Sequence, residues 1–278
     1  MTAKTVNKLD VPGATLHYEV TGSGPVLLLI AGGSTDCGVF DGIVGQLAAE
    51  YTVVSYDPRG NSRSPYAAEP SDERVDRSAE DALALIDKIS GDEPAYVFGS
   101  SSGAITGLEL ITRHPDRVRM LVAHEPPCVE VLPDAETPRA FFEDVYDTYF
   151  DDGAAVALRL FAGGTGMDEN APPPEDLRPE YREALERMSA NLDVFFRHKL
   201  LPFTRYQPDL PALERVAHKI VPAAGVDAAG QLPARPITVI AEHLRWPVVS
   251  FPGGHSGYAS HPAQFATLLA RVLEAELT

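Results

Sequence analysis

Four residues have the side chains and settings that could run acyl-transfer chemistry: Ser101, Glu125, Asp227 and His255. Ser101 sits in Gly99-Ser100-Ser101-Ser102-Gly103, with a glycine two positions to each side. An apolar run, Ala95-Tyr96-Val97-Phe98, leads into it, and a helical pattern (Ala104, Ile105, Leu108, Ile111) leads out. A strand, a sharp turn and a helix in that order lift the apical hydroxyl clear of a sheet in strained backbone geometry. The glycines are needed where strand and helix approach too closely for a Cβ. A hydroxyl is a weak nucleophile until a base takes its proton. His255, in the glycine-rich loop Pro252-Gly253-Gly254-His255-Ser256-Gly257, is the candidate base. The carboxylate that would orient it is Glu125 in His124-Glu125-Pro126-Pro127 or Asp227 in Gly225-Val226-Asp227.

Strands and helices must carry these residues. Leu16–Val20 alternates as a partly exposed strand does, and Gly22–Pro25 reads as a turn. Val26–Ile30 is continuously apolar, as expected of a strand covered on both faces. It runs into Gly32-Gly33, where backbone N–H groups can point into the space above a sheet and form an oxyanion hole. A helix is expected from about Phe40 to Ala49, a strand over Thr52–Tyr56, and a helix through Ala79, Leu83, Ile86 and Ile89. The loop Asp57-Pro58-Arg59-Gly60-Asn61-Ser62-Arg63-Ser64 reads as structural, with Asp57 accepting turn N–H groups and an arginine pairing locally. The helix after Ser101 should stop near His114-Pro115. Later strands are expected over Met120–Ala123, Ile220–Ala224 and Val248–Phe251, with helices over Pro236–Arg245 and Pro262–Glu276. From 128 to 216 no strand is convincing. Helical patterns (141–150, 154–161, 181–196) alternate with acidic, proline-rich stretches such as Ala171–Asp176. The expected organisation is therefore a core of 1–127 and 217–278 with a helical lid of 128–216. Phe141, Phe142, Tyr146, Phe195, Phe196, Phe203 and Tyr206 divide there between helix packing and a pocket.

The chain of 278 residues is 44% hydrophobic, which suits one large α/β domain carrying an insertion. Its net charge of −17 argues against a nucleic-acid partner, which needs clustered Lys and Arg. Two cysteines, Cys37 and Cys128, form no disulfide framework and no zinc spacing, and they read as inert, half-buried thiols. No apolar run has signal-peptide or bilayer-spanning length, so a cytoplasmic protein without a membrane partner is expected. No metal or organic cofactor is implied. The expected partner is a small apolar ester or lactone, with a homodimer left open.

Alternating strands and helices imply a mostly parallel sheet with helices on both faces. Functional residues then gather at the carboxyl ends of strands, where Ser101, Glu125, Asp227 and His255 all fall. The order serine, acid, histidine resembles that of the α/β-hydrolase superfamily along nearly the whole chain. The resemblance rests on Gly32-Gly33, the Asp57–Ser64 loop, Gly99–Gly103 and Gly254-His255. It implies a Ser101 nucleophile, a His255 base, an orienting carboxylate, and an oxyanion hole from the N–H groups of Ser102 and Gly33, or Gly32 in its place. Asp227 stands at the superfamily's usual acid position and Glu125 at the alternative one. Gly-Ser-Ser101-Ser-Gly-Ala, His114-Pro-Asp-Arg-Val-Arg, His124-Glu125-Pro-Pro and Pro252-Gly-Gly-His255 are similar to the fungal lactone-hydrolase branch that opens zearalenone. That branch uses the glutamate, which implies Glu125 as the acid and Asp227 as the second candidate.

The expected activity is hydrolysis of a carboxylic ester or lactone under the helical insertion. A carbon–carbon bond hydrolase and a cofactor-free perhydrolase or oxygenase share the fold and the serine. A small-molecule receptor with vestigial activity is the alternative outside enzymology.

Overall fold

The computed structural model describes residues 4–167 and 179–275. Its centre is an eight-stranded sheet in the order β1-β2-β4-β3-β5-β6-β7-β8. The strands are β1 Thr5–Val11, β2 Ala14–Gly22, β3 Val26–Ile30, β4 Thr52–Tyr56, β5 Ala95–Ser100, β6 Val118–His124, β7 Ile220–Gly225 and β8 Val249–Phe251. β2 pairs antiparallel with β1 and β4, and every pairing from β4 to β8 is parallel. The mostly parallel sheet flanked by helices is what the alternating strands and helices imply, and the α/β-hydrolase architecture is what the resemblance implies.

The apolar run of β3 is explained by its position between β4 and β5. Leu28 and Ile30 join the core on one face, with Leu85 and Ile86 of α2 (Val75–Ser90) and Leu108 and Ile111 of α3 (Ser102–Arg113). Leu27 and Leu29 point the other way, toward Ile43 and Leu47 of α1 (Asp41–Leu47) and Phe265 and Leu269 of the last helix. A two-residue period thus feeds two cores from one strand.

Registers at the carboxyl ends decide where the site lies. Ile30 pairs with Gly99, Ser100 with His124, His124 with Ala223, and Gly225 with Phe251. The loops after β3, β5, β6, β7 and β8 therefore emerge side by side.

Between β6 and β7 the described residues are helical. α4 (Glu136–Asp152), α5 (Ala154–Thr165), α6 (Pro179–Ala190) and α7 (Leu192–Val194) run into a π turn at Phe195–Lys199, then α8 (Leu200–Thr204) and α9 (Leu210–Arg215). This segment has its own core around Phe142, Val145, Ala157 and Phe196. The acidic, proline-rich Ala171–Asp176 lies outside the described residues. α10 (Arg235–Leu244), α11 (Gly257–Ser260) and α12 (Pro262–Glu274) complete the chain. No described helix is long and apolar enough to cross a membrane.

One element was not anticipated and one expectation is corrected. β1, hydrophilic through Asn7, Lys8 and Asp10, is a strand that apolar patterning does not reveal. It is an exposed edge strand held to β2 through the turn at Pro12-Gly13, so little of it needs to be apolar. Cys37 and Cys128 are fully buried, not half-buried. Burial raises both thiols, Cys128 to about 12, which fits inert packing groups.

Candidate active site

β5 ends at Ser100 and α3 begins at Ser102, so Ser101 makes the whole turn, with φ 57° and ψ −126°. Its N–H donates to the His124 carbonyl of β6 at 2.9 Å, and its own carbonyl accepts the N–H of Ala104 at 2.9 Å. Glycine is required around it. A Cβ on Gly103 would strike the Ile30 carbonyl, and one on Gly99 would strike the Gly103 carbonyl. A Cβ on Gly32 would come within 2.5 Å of the Ser100 carbonyl oxygen and 2.7 Å of the Ser101 Cβ.

Glu125 is the next residue after β6 and also has positive φ, 50°. Its N–H donates to the Ala223 carbonyl at 3.0 Å, which turns the side chain toward β7 and β8. The carboxylate is fully buried. One oxygen accepts the Gly225 N–H at 2.7 Å, and the other lies 2.5 Å from Nδ1 of His255. Burial pushes this carboxyl up. The hydrogen bond and charge of His255, with the Gly225 N–H, outweigh burial and hold it below the usual carboxylate range. Nδ1 is thereby occupied, and Nε2 is the ring nitrogen left for a partner in the cavity.

Asp227 lies close to the His255 loop but does not pair with the imidazole. It lies on the exposed turn Val226–Ala228, its N–H donates to the Gly253 carbonyl at 3.0 Å, and its side chain pairs with no described residue. Of the two candidate carboxylates, the structure brings Glu125 to His255 and leaves Asp227 in solvent.

Ser101 and His255 line one cavity of about 160 Å³ above the sheet edge. No hydrogen bond joins the Ser101 hydroxyl to the imidazole in this resting arrangement, as is common before a substrate seats. The cavity's other walls are mainly apolar and many come from the helical segment, including Phe142, Leu158, Phe161, Phe195 and Phe203, with Lys199 also on the lining. Of the aromatics flagged from sequence, Phe142, Phe195 and Phe203 face the cavity. Phe196 instead stacks on Tyr149 at 5.4 Å, and the Tyr206 hydroxyl donates to Glu109 at 2.7 Å.

Gly33, at φ 57°, turns its N–H toward the elbow and donates to the Ser102 hydroxyl at 2.8 Å. Ser102 is the first residue of α3, and its own N–H has no intrahelical carbonyl. Gly32 contributes differently: its carbonyl accepts the N–H and the hydroxyl of Thr35 at 3.1 and 2.6 Å.

The Asp57 loop is a buried polar frame. Asp57 accepts the N–H of Cys37 at 3.1 Å and of Arg63 at 3.0 Å, and takes the Arg63 guanidinium at 2.7 and 2.9 Å. Arg59 grips Asp81 of α2 at 2.5 and 2.7 Å, both side chains being buried. His17, Glu19 and Cys37 bring metal-ligand side chains together, but Lys4 and Arg63 already sit on Glu19 at 2.7 and 3.2 Å. That cluster is an ion-pair network, since two fixed cations oppose a third.

Two residues near the site escaped sequence reasoning. His124 is fully buried beside Glu125, with neither ring nitrogen hydrogen-bonded to a described residue, and burial pushes its imidazole down to about 4. Lys199 is buried against Asn61 and the Arg59 carbonyl. Its signal was a cation within the apolar series Phe195, Phe196, Leu200 and Phe203.

Fold and site together define a hydrolase of the α/β class. The family model described as alpha/beta hydrolase fold matches residues 25–163, and the chain belongs to that family. It is 36% identical to the uncharacterized hydrolase YraK of Bacillus subtilis, over 98% of each chain. It is 31% identical to a zearalenone hydrolase of Cladophialophora bantiana, over 93% of this chain and 92% of the relative. A thermophilic esterase from Thermogutta terrifontis superposes over 100% of both chains with a TM-score of 0.74 at 18% identity, a likeness of fold.

Proposed function

We propose that the protein is a serine hydrolase that opens a carboxylic ester or lactone through an acyl-enzyme. The observation that carries this reading is the buried Glu125 held against His255, which lines the same apolar cavity as Ser101. Ser101 Oγ attacks the carbonyl carbon while Nε2 of His255 accepts its proton. Glu125 holds Nδ1 and stabilises the imidazolium. The carbonyl π electrons move to oxygen, and the N–H groups of Ser102 and Gly33 receive the resulting oxyanion. The Gly33 N–H must then exchange the Ser102 hydroxyl for the substrate. Collapse breaks the bond to the alcohol oxygen, which takes the proton from Nε2. Water repeats the sequence, with His255 again the base, and frees the acid.

The helical segment 128–216 serves as a lid, its phenylalanines selecting an apolar acyl or ring portion. No group in this sequence of steps calls for a metal or organic cofactor. The zearalenone hydrolase relative supports a lactone as the substrate class. Two free, buried cysteines are compatible with the cytoplasm.

The test uses the purified protein, a p-nitrophenyl ester series and a fluorophosphonate. Turnover of the esters, with a stoichiometric adduct on Ser101 that Ser101→Ala abolishes, is the expected result. Cleavage of β-diketones without ester turnover would transfer the site to carbon–carbon hydrolysis. No adduct and no turnover would make it a receptor.

A further inference from the structure

We propose that Asn61 and Lys199 are positioning residues that clasp the helical segment to the oxyanion loop, so that docking of that segment aims the Gly33 N–H. The inference rests on the acyl-transfer reading above.

The clasp is a chain of hydrogen bonds running from the ammonium through one amide to the oxyanion loop. Lys199 Nζ donates to Asn61 Oδ1 at 2.6 Å and to the Arg59 carbonyl at 2.7 Å. Asn61 is fully buried, and its Nδ2 donates to the carbonyls of Gly33 at 3.1 Å and Thr35 at 2.7 Å. Both hydrogens of the amide are used and its oxygen faces an ammonium, so only one orientation satisfies it. Thr35 in turn holds the Gly32 carbonyl from its N–H and its hydroxyl. The peptide joining Gly32 to Gly33 is therefore gripped at its oxygen, and its N–H is left pointing at the elbow.

Lys199 belongs to the helical segment and Asn61 to the loop after β4. The cation is 6% exposed, a costly position unless its bonds do something that an apolar side chain could not. Two further ties leave the same stretch of helix for the same loops. Asn191 donates to the Ser34 carbonyl at 2.8 Å and accepts the Ser62 N–H at 2.7 Å, while Arg187 donates to Asp36 at 2.6 Å. Lys199 alone reaches through the amide to Gly33. It closes a π turn, a local widening of helix often found at functional positions.

The charged groups facing Lys199 are Glu73 and Asp81, which favour the ammonium, and Arg59, which opposes it. Burial is the largest influence and pushes the amine down to about 8. Above that pH the charge-assisted bond to Asn61 becomes an ordinary one.

The experiment compares wild type, Lys199→Met and Asn61→Asp on one p-nitrophenyl ester, with an alkyl trifluoromethyl ketone as the tetrahedral-adduct inhibitor. Asn61→Asp can still accept from Lys199 but cannot donate to Gly33 and Thr35. A mis-aimed oxyanion donor lowers kcat by about 10–100-fold, somewhat less than loss of a donor outright. KM should stay within about two-fold in Asn61→Asp, whose side chain does not line the cavity, because the ground-state carbonyl uses the hole little. Trifluoromethyl ketone inhibition should weaken by a factor similar to the kcat loss. Wild-type kcat should decline near pH 8, and that decline should be missing from Lys199→Met. Wild-type kcat and inhibitor affinity in a folded Lys199→Met would overturn the clasp alone, as would an unchanged pH profile. If Lys199→Met does not fold, Asn61→Asp is read by the same kcat and inhibitor criteria. A wild type that neither turns over ester nor labels at Ser101 would remove the hydrolase reading and the clasp with it.

Discussion

Replacing Glu125 by glutamine keeps the volume of a fully buried side chain and changes only its charge and donors. The amide oxygen can still accept the Gly225 N–H. Its NH2 then faces Nδ1 of His255, where the carboxylate had accepted at 2.5 Å. Two donors cannot share that contact, so the ring adopts the tautomer with its proton on Nε2. That nitrogen can no longer take a proton from Ser101. The corresponding change in serine proteases costs about 10⁴ in kcat, and the same logic gives roughly 10³–10⁴ here. That is about 4–5.5 kcal/mol of transition-state stabilisation. Asp227→Asn, exposed and without a side-chain partner among the described residues, should leave kcat within about two-fold. The assay is kcat at saturating p-nitrophenyl ester, with thermal melts to show that both variants fold. Glu125→Gln retaining more than about a tenth of wild-type kcat, or Asp227→Asn losing as much as Glu125→Gln is expected to lose, would refute the assignment.

Gly103→Ala forces a Cβ onto the Ile30 carbonyl, with backbone on both sides and nothing flexible to yield. Loss of soluble expression or a melting point lowered by well over 10 °C is expected in a thermal scan. Arg59→Met strands Asp81 in the interior and should cost about 3–5 kcal/mol by urea unfolding, most of which Arg59→Met with Asp81→Leu should restore. For His124 the folded value of about 4 lies below the unfolded 6.5. Between those pH values the unfolded chain binds a proton that the folded chain refuses. Stability is therefore full above pH 6.5 and falls by roughly 3 kcal/mol as pH drops toward 4. His124→Leu should flatten that acid limb in melts taken from pH 7.5 to 4.5.

Much of this architecture was legible because it is written in apolar runs and glycines. Val26–Ile30 announced a doubly covered strand, and Gly99–Gly103 announced the elbow whose Cβ-free contacts the structure displays. Chain order alone could not choose between Glu125 and Asp227, since both follow a parallel strand. The choice depends on a positive φ at Glu125 and on the Gly225 N–H, neither of which leaves a compositional trace. Resemblance to the lactone-hydrolase branch pointed to Glu125, the carboxylate that the structure pairs with His255. Lys199 and Asn61 were missed for a different reason: a lysine is ordinarily solvated, and only tertiary packing reveals one that is not. β1 was missed because an edge strand needs little apolar side chain.

Under the proposed mechanism the turn that carries Asp227 has no catalytic duty. With β6 supplying the acid in that mechanism, the connection after β7 needs only to return the chain to α10, and Ala229 and Gly230 stand in open solvent. Foreign sequence spliced between those two residues would enter open space, at a point that does not line the cavity. A reporter peptide or an extra specificity loop could be grafted at that point, on a scaffold whose reactive parts are fastened from three other strands.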